Sequence, residues 1–315
     1  MTVRNIRKPS LLYGLGVRSS FSSYDLESRD APILSWLEER GLRSNLAFEE
    51  AVLSRVDLED VEVASGEVRT ITKGERWTVS SPLSIRAKLV GSEVEDMLVS
   101  VLVLDVRADT KLVLEAEPDQ RCVHLVYASV ADGASLSFND LVISGHDAFR
   151  RTSVVLHESA KVFPNHAFFT FGDAKVDVKS DVTHIGRESF SDMKVRGVLA
   201  GSSQVIVQGD VTITPSAFDA NGYQQEDLIL ASPTAIARPI PNLEIGNNEV
   251  KCSHGATVSS VDPEAIFYAR SRGISYDDAR SLLLASFIAP VLTLFDESEL
   301  DRIRERIGGL LDEAR

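Results

Sequence analysis

The stretch MKVRGVLAGSSQVIVQGDVTI, Met193 to Ile213, alternates apolar with polar residues in two short runs and breaks at Gly201-Ser202-Ser203 between them. A period of two puts successive side chains on opposite faces of a strand, so each run reads as a half-buried β-strand and the break as a turn. The same texture extends both ways. Upstream, from Val61, come VRTIT, LSIRAKLV, MLVSVLVLDV, KLVLEAE, CVHLVYASV, TSVVLHE, HAFFTF and KVDVKSDVTHI. Downstream, DLILAS and PNLEIGNNEV carry it to Val250. The runs end at Gly, Asp, Asn, Ser or Pro, and no helix-period segment of useful length interrupts them. That excludes a strand–helix–strand architecture and leaves a sandwich, a propeller or a β-solenoid. No fixed-length repeat chooses among the three.

Helical texture is confined to the two ends. Ala31 to Glu39 has Pro32 near its start, an apolar stripe of Ile33, Leu34, Trp36 and Leu37, and Gly41 as a stop. A second helix is expected from Asn45 to about Leu53, the two making a small cap over residues 1–60. After Val258, Asp262 is an N-cap with Pro263 at the first helical position and Gly273 as terminator. Ser275 to Asp278 forms a capping box with Asp in place of the usual Glu. The helix it opens should break or kink at Pro290. Asp296 then caps a last amphipathic helix, with Leu300, Ile303, Ile307, Leu310 and Leu311 on one side. The resulting division is 1–60, 61–258 and 259–315.

Composition excludes several function classes. The chain has 315 residues, 43% hydrophobic and 25% charged, an ordinary globular balance. A net charge of −14 argues against binding a phosphate backbone. No apolar run approaches the ~20 residues that span a bilayer, and the start has no apolar signal-peptide core. Two cysteines, Cys122 and Cys252, are too few for a disulfide framework and fit a reducing cytoplasm. There is no P-loop and no G-x-S-x-G elbow, so any ATP used is used by a partner. A carbohydrate-active β-helix is the rival enzyme, but aromatics are only 7% and the acids form no cluster.

Between Asn247 and Leu292, the words KCSHGAT, FYARSRG and ARSLLLASF resemble the C-terminal signature of the SufB/SufD family. These are scaffold components of the SUF iron–sulfur cluster assembly system, and the likeness is closest on the SufD side. Met193–Ile213 and DLILASPTAIARPIPNLEIGNNEV extend it to roughly residues 180–295. The resemblance implies a right-handed parallel β-helix core, with Gly197, Gly201 and Gly209 at bends between coils. It implies a non-enzymatic scaffold that carries iron and a transient iron–sulfur cluster. A C-terminal lobe would dock a SufC-like ABC-type ATPase through Leu283, Leu284, Phe287, Ile288, Val291 and Leu292. Cys252 would be a thiolate ligand and His254 an iron ligand. The partners expected are a second copy or a SufB-like chain, a sulfur donor and apo-protein recipients, all cytoplasmic. The alternative is a same-fold interaction protein without cluster chemistry.

The residues alone say less. Cys252 and His254, two apart on a strand, share a face and suit iron or zinc, but two ligands do not complete a site. The sequence also departs from the family. Where SufB-like chains have an upstream cysteine this one has Glu226, and where they have Glu after the histidine it has Gly255. Glu226 is either a ligand or a solvated carboxylate in an acidic turn. Cys122, two before His124, reads as a core thiol. His184 falls in DVTHIGRESFS, a stretch that resembles the family's histidine-bearing one. With ligands missing and the chain shorter than typical SufB or SufD, a self-paired scaffold is the expectation.

Overall fold

The computed structural model describes residue 53, residues 56–94 and residues 97–313. The helical cap expected over residues 1–60 falls outside them but for its last few positions. Two sheets face each other. The first takes β1 (Leu58–Val61), β3 (Gly74–Val79), β6 (Met97–Val106), β8 (Cys122–Val130), β10 (Ala148–Leu156), β12 (Lys175–His184), β14 (Gln204–Ile213) and β16 (Ile236–Ile245) in that order. The second runs β2 (Val68–Ile71), β4 (Leu83–Leu89), β7 (Thr110–Ala116), β9 (Ser135–Ser144), β11 (Lys161–Thr170), β13 (Phe190–Leu199), β15 (Asn221–Leu230) and β17 (Lys251–Ser260). Short β5 (Ser92–Val94) folds back antiparallel on β6; the other pairings described are parallel.

Each strand thus pairs with the one a full coil later, a parallel β-solenoid of about seven turns with 55% of residues in strands. Coil length explains the missing repeat. Cys122 aligns with Ala148, 26 positions on, whereas Gln204 aligns with Ile236, 32 positions on. The period drifts because turns absorb the difference, while the strands keep their inward parity.

That parity builds the core. Val205, Val207, Val211 and Ile213 of β14 point into the lumen with Phe138, Phe168 and Trp77 from other coils. Each such side chain contributes about 1.5–3 kcal/mol when fully buried. Strand β10 is buried at every position, its polar centre of Arg150, Arg151, Thr152 and Ser153 included. Gly201 sits at a bend with φ +64 as expected, but Gly197 and Gly209 do not. They lie mid-strand facing the lumen, where neighbouring side chains fill the space a Cβ would need. A Cβ on Gly197 would come within 2.0 Å of the Phe168 ring.

The C-terminal elements are α1 (Pro263–Ser271), α2 (Tyr276–Ile288), a 3-10 turn (Ala289–Val291) and α3 (Glu297–Glu313). Their caps follow local chemistry. The Asp262 side chain accepts from Glu264 N, Ser275 accepts from Asp278 N, and Pro290 lies just past the end of α2. Asp296 and Glu299 cap each other reciprocally across the start of α3. The lobe packs on the outer face of the second sheet. Leu284, Ile288, Val291 and Ile307 share one apolar cluster with Leu141, Phe169 and Val198. Arg86 bridges to Glu299 at 2.6 Å, and Arg196 donates to the Phe287 carbonyl at 2.7 Å.

Candidate functional site

β16 and β17 are the last strands of their sheets, so the lumen opens beside them. Cys252 and His254 lie on β17, their side chains on one face. Cys252 is half-buried against the lumen core and His254 is exposed. Burial pushes the Cys252 thiol up, and the Gly222 backbone opposes this. In register below them on β15 lie Gly222 under Cys252, Gln224 under His254 and Glu226 under Ala256.

The two terminal edges differ. Lys251 N bonds back to Ala220 O, so by alternation the even-numbered amides and carbonyls of β17, including those of Cys252 and His254, point outward. Among the described residues nothing pairs with them. On β16 the even-numbered Ile236 bonds back to Ser203 O, which turns the odd positions outward, and two of those are Pro239 and Pro241. Proline has no N–H to offer, so β16 is a blocked edge and β17 an open one.

Glu226 is not a solvated side chain in a turn. It lies within β15, fully buried and facing the lumen. Its Oε1 accepts from Gln224 Nε2 at 3.0 Å, and the same amide reaches Gly209 O at 3.0 Å. Burial pushes its carboxyl up to about 8. The Gln224 hydrogen bond opposes this, the Asp210 charge adds to it, and the nearby Ile240 and Gly209 amides lean the other way. Below Gly222 in register is Ser191, which bonds His184 Nε2 at 2.8 Å, while Ser189 bonds its Nδ1 at 2.8 Å. Burial holds this imidazole down to about 4, so His184 is a neutral, satisfied core histidine.

Cys122 is buried in the lumen, its thiol pushed up to about 12 by burial despite the Arg150 charge. A thiol so rarely ionised is a poor ligand or nucleophile. The sequence reading missed the ionic cluster beside it. Arg150 Nη2 bonds Asp140 Oδ1, Asp140 Oδ2 meets His166 Nδ1 at 3.2 Å, and His166 Nε2 meets Ser180 Oγ at 3.0 Å. The one signal was Arg150 at an inward parity within FRRTSVVL.

The apolar stretch expected to dock a partner is largely used within the chain. Leu284, Ile288, Val291 and Leu292 are buried against the second sheet, Arg196 stacks over Phe287 at 5.0 Å, and Leu283 is half-buried. The exposed large hydrophobic side chains of the lobe, among the described residues, are Phe267, Tyr268, Tyr276 and Leu282. Among the described residues no three His, Cys, Asp or Glu side chains are placed to hold a metal ion. No described helix is long and apolar enough to cross a membrane.

The chain is 36% identical over 115 residues to the chloroplastic protein ABCI7 of Arabidopsis thaliana, covering 36% of this chain and 24% of that protein. It is 34% identical over 118 residues to an iron–sulfur cluster assembly SufBD family protein of Synechocystis, covering 38% and 25%. The iron–sulfur cluster assembly protein SufD of Escherichia coli is 34% identical over 112 residues, covering 35% and 26%. The match spans about a quarter of each of these relatives. The family model for the SUF system FeS cluster assembly SufBD core domain matches residues 90–287, well over half of the sequence, and the chain therefore belongs to the SufBD family.

Proposed function

We propose that this chain is a scaffold on which iron–sulfur clusters are built at the open end of the solenoid, with Cys252 as thiolate ligand and His254 as iron ligand. The supporting observation is the pairing of two ligating side chains with an open edge. Cys252 and His254 sit side by side on β17, whose outward backbone groups no described residue pairs. Thiolate is the preferred cluster ligand and imidazole can replace it. Iron and the cluster are cargo here, sulfur comes from a donor, and the product goes to apo-proteins. Two cysteines that are both free thiols fit a reducing compartment such as the cytoplasm.

One chain offers too few ligands, so a second scaffold chain completes the site. A second copy is the simplest partner, because a twofold axis repeats every residue on both sides of the contact. The partner pairs along β17, since Pro239 and Pro241 deny it β16. A SufB-like chain bringing a further cysteine is the other possibility. Anaerobic reconstitution with iron and sulfide tests the scheme. A cluster absorption should elute with a dimer of the purified chain, vanish in Cys252→Ser and survive in Cys122→Ser. Dependence on Cys122 overturns the site. A cluster-free monomer that gains both only with a second scaffold chain assigns the heterodimer. Intact ATPase binding without iron or sulfide uptake identifies a same-fold interaction protein.

A SufC-like ATPase docks on the lobe, whose unused apolar surface is the Phe267, Tyr268 and Tyr276 face rather than the buried leucines. Phe267 is 75% exposed and Tyr268 60%. Exposed aromatics on a folded helix suit a partner groove. The pair Phe267→Glu and Tyr268→Glu should abolish co-purification with the ATPase and leave the thermal midpoint within a few degrees. Undiminished co-purification places the docking surface elsewhere.

A further inference from the structure

Two buried oxygen atoms beneath the Cys252–His254 pair lack a well-formed hydrogen bond, Gln224 Oε1 and Glu226 Oε2, although the Ile240 and Gly209 amides lie near the Glu226 carboxyl. Both side chains are nearly inaccessible, Gln224 at 3% and Glu226 at 0%. Their other polar atoms are spoken for. Gln224 Nε2 donates to both Gly209 O and Glu226 Oε1, which fixes the amide so that its oxygen is the atom left over. An unpaired buried acceptor costs about 1–3 kcal/mol, more when charged, and two in adjacent positions call for a guest.

The surroundings are shaped for this pair. Gly209, mid-strand on β14 at a lumen-facing position, gives up its side-chain volume to them. A Cβ there would lie 2.4 Å from Gln224 Nε2 and 2.4 Å from Glu226 Oε1. Only one strand lies above in this sheet. His254 stands in register over Gln224 and Ala256 over Glu226, at the ~4.8 Å spacing of neighbouring strands. Both β17 residues are exposed, so a single strand separates the two oxygens from the open end.

From this geometry we infer that Gln224 Oε1 and Glu226 Oε2 form a divalent-cation subsite beneath the Cys252–His254 pair, occupied by ferrous iron during assembly. The subsite deepens the scaffold reading above and rests on it for the identity of the cation. Carboxylate and amide carbonyl oxygens suit small divalent cations, the Glu226 carboxyl giving up its proton as the ion enters, whereas thiolate and imidazole suit iron bound to sulfide. The oxygens hold the incoming ion as a hydrated cation, and the softer pair above takes it into the cluster.

Anaerobic titration of the full chain with Mn(II), a redox-inert probe followed by its paramagnetic resonance, separates the subsite from the cluster ligands. One bound Mn(II) per chain is expected. Affinity should fall at least tenfold in Gln224→Leu and in Gly209→Ala, and persist in Gln224→Glu, which keeps an oxygen at that place. It should also persist in Cys252→Ser and His254→Ala, the variants that test the cluster site. A wild-type chain that takes up no Mn(II) overturns the subsite. So does binding that needs His254 but not Gln224, and that outcome leaves the cluster reading intact. Conversely, a Mn(II) site with no cluster formed in reconstitution keeps the subsite and removes its assignment to iron assembly.

Discussion

Asp140→Ala should lower the unfolding free energy by about 3–5 kcal/mol, the usual cost of stranding one member of a buried ion pair. Asp140 and Arg150 are each 4% exposed and face one another across the lumen from opposite sheets. Burial alone would push the Asp140 carboxyl up, yet Arg150, with help from His166, holds it below the ordinary carboxylate range. Without Asp140 the guanidinium keeps its charge, since arginine does not deprotonate in proteins. Two of its nitrogens, Nε and Nη1, already lack partners, so nothing inside compensates the loss. Urea denaturation should show a large drop in midpoint with an unchanged slope. The companion variant Asp140→Leu with Arg150→Met should recover part of the loss, because a packed apolar pair replaces the ions and only His166 Nδ1 is left without its partner. The sign with pH follows from the depressed carboxyl. Its contribution is complete above the unfolded value of ~3.9 and disappears as pH falls through the folded one. A single variant as stable as wild type would mean the pair has no role in holding the sheets together.

What the sequence disclosed, and what it hid, divides along the range of the interactions. Strand texture and helix caps are local, so Asp262, Ser275 and Pro290 announced their roles without the rest of the fold. The coil register is not local. With steps from 16 residues (Leu58 to Gly74) to 32 (Gln204 to Ile236) no period survives in the sequence, and the solenoid came only from resemblance. Gly197 and Gly209 show the same limit. A mid-strand glycine reads as a bend, but here it marks a Phe168 ring and a Gln224–Glu226 pair contributed by neighbouring strands. SLLLASFIAPVL reads as surplus apolar surface until the outer face of the second sheet, which consumes it, is known. Cys252 and His254 were legible as a pair. That β17 is an open edge and β16 a proline-blocked one needed the hydrogen-bond parity.

Glu226→Gln should leave stability nearly unchanged in mildly acidic solution and raise it above wild type in mildly basic solution. Glu226 is fully buried, and its carboxyl is pushed up to about 8, chiefly by burial. The folded chain therefore keeps a proton that the unfolded chain releases above the ordinary glutamate value of ~4.3. The resulting stability is complete below that value and is lost as pH rises toward the folded one. The loss is about 1.4 kcal/mol per pH unit for a single group. Glutamine has the shape of the protonated acid and cannot ionise, so the variant escapes this loss. Asp210, raised to about 6 by burial and the Asp181 charge, gives wild type a slope of the same sign. It remains in both proteins, and the difference between their curves isolates Glu226. Near pH 5 the two should unfold within about 1 kcal/mol of each other, while near pH 8 the variant should be more stable by several times RT. Parallel curves across that range would mean that Glu226 is ionised in the fold. Its uncompensated charge would then need a partner at the open end, and the Gln224–Glu226 pair would be a site already filled in the resting protein.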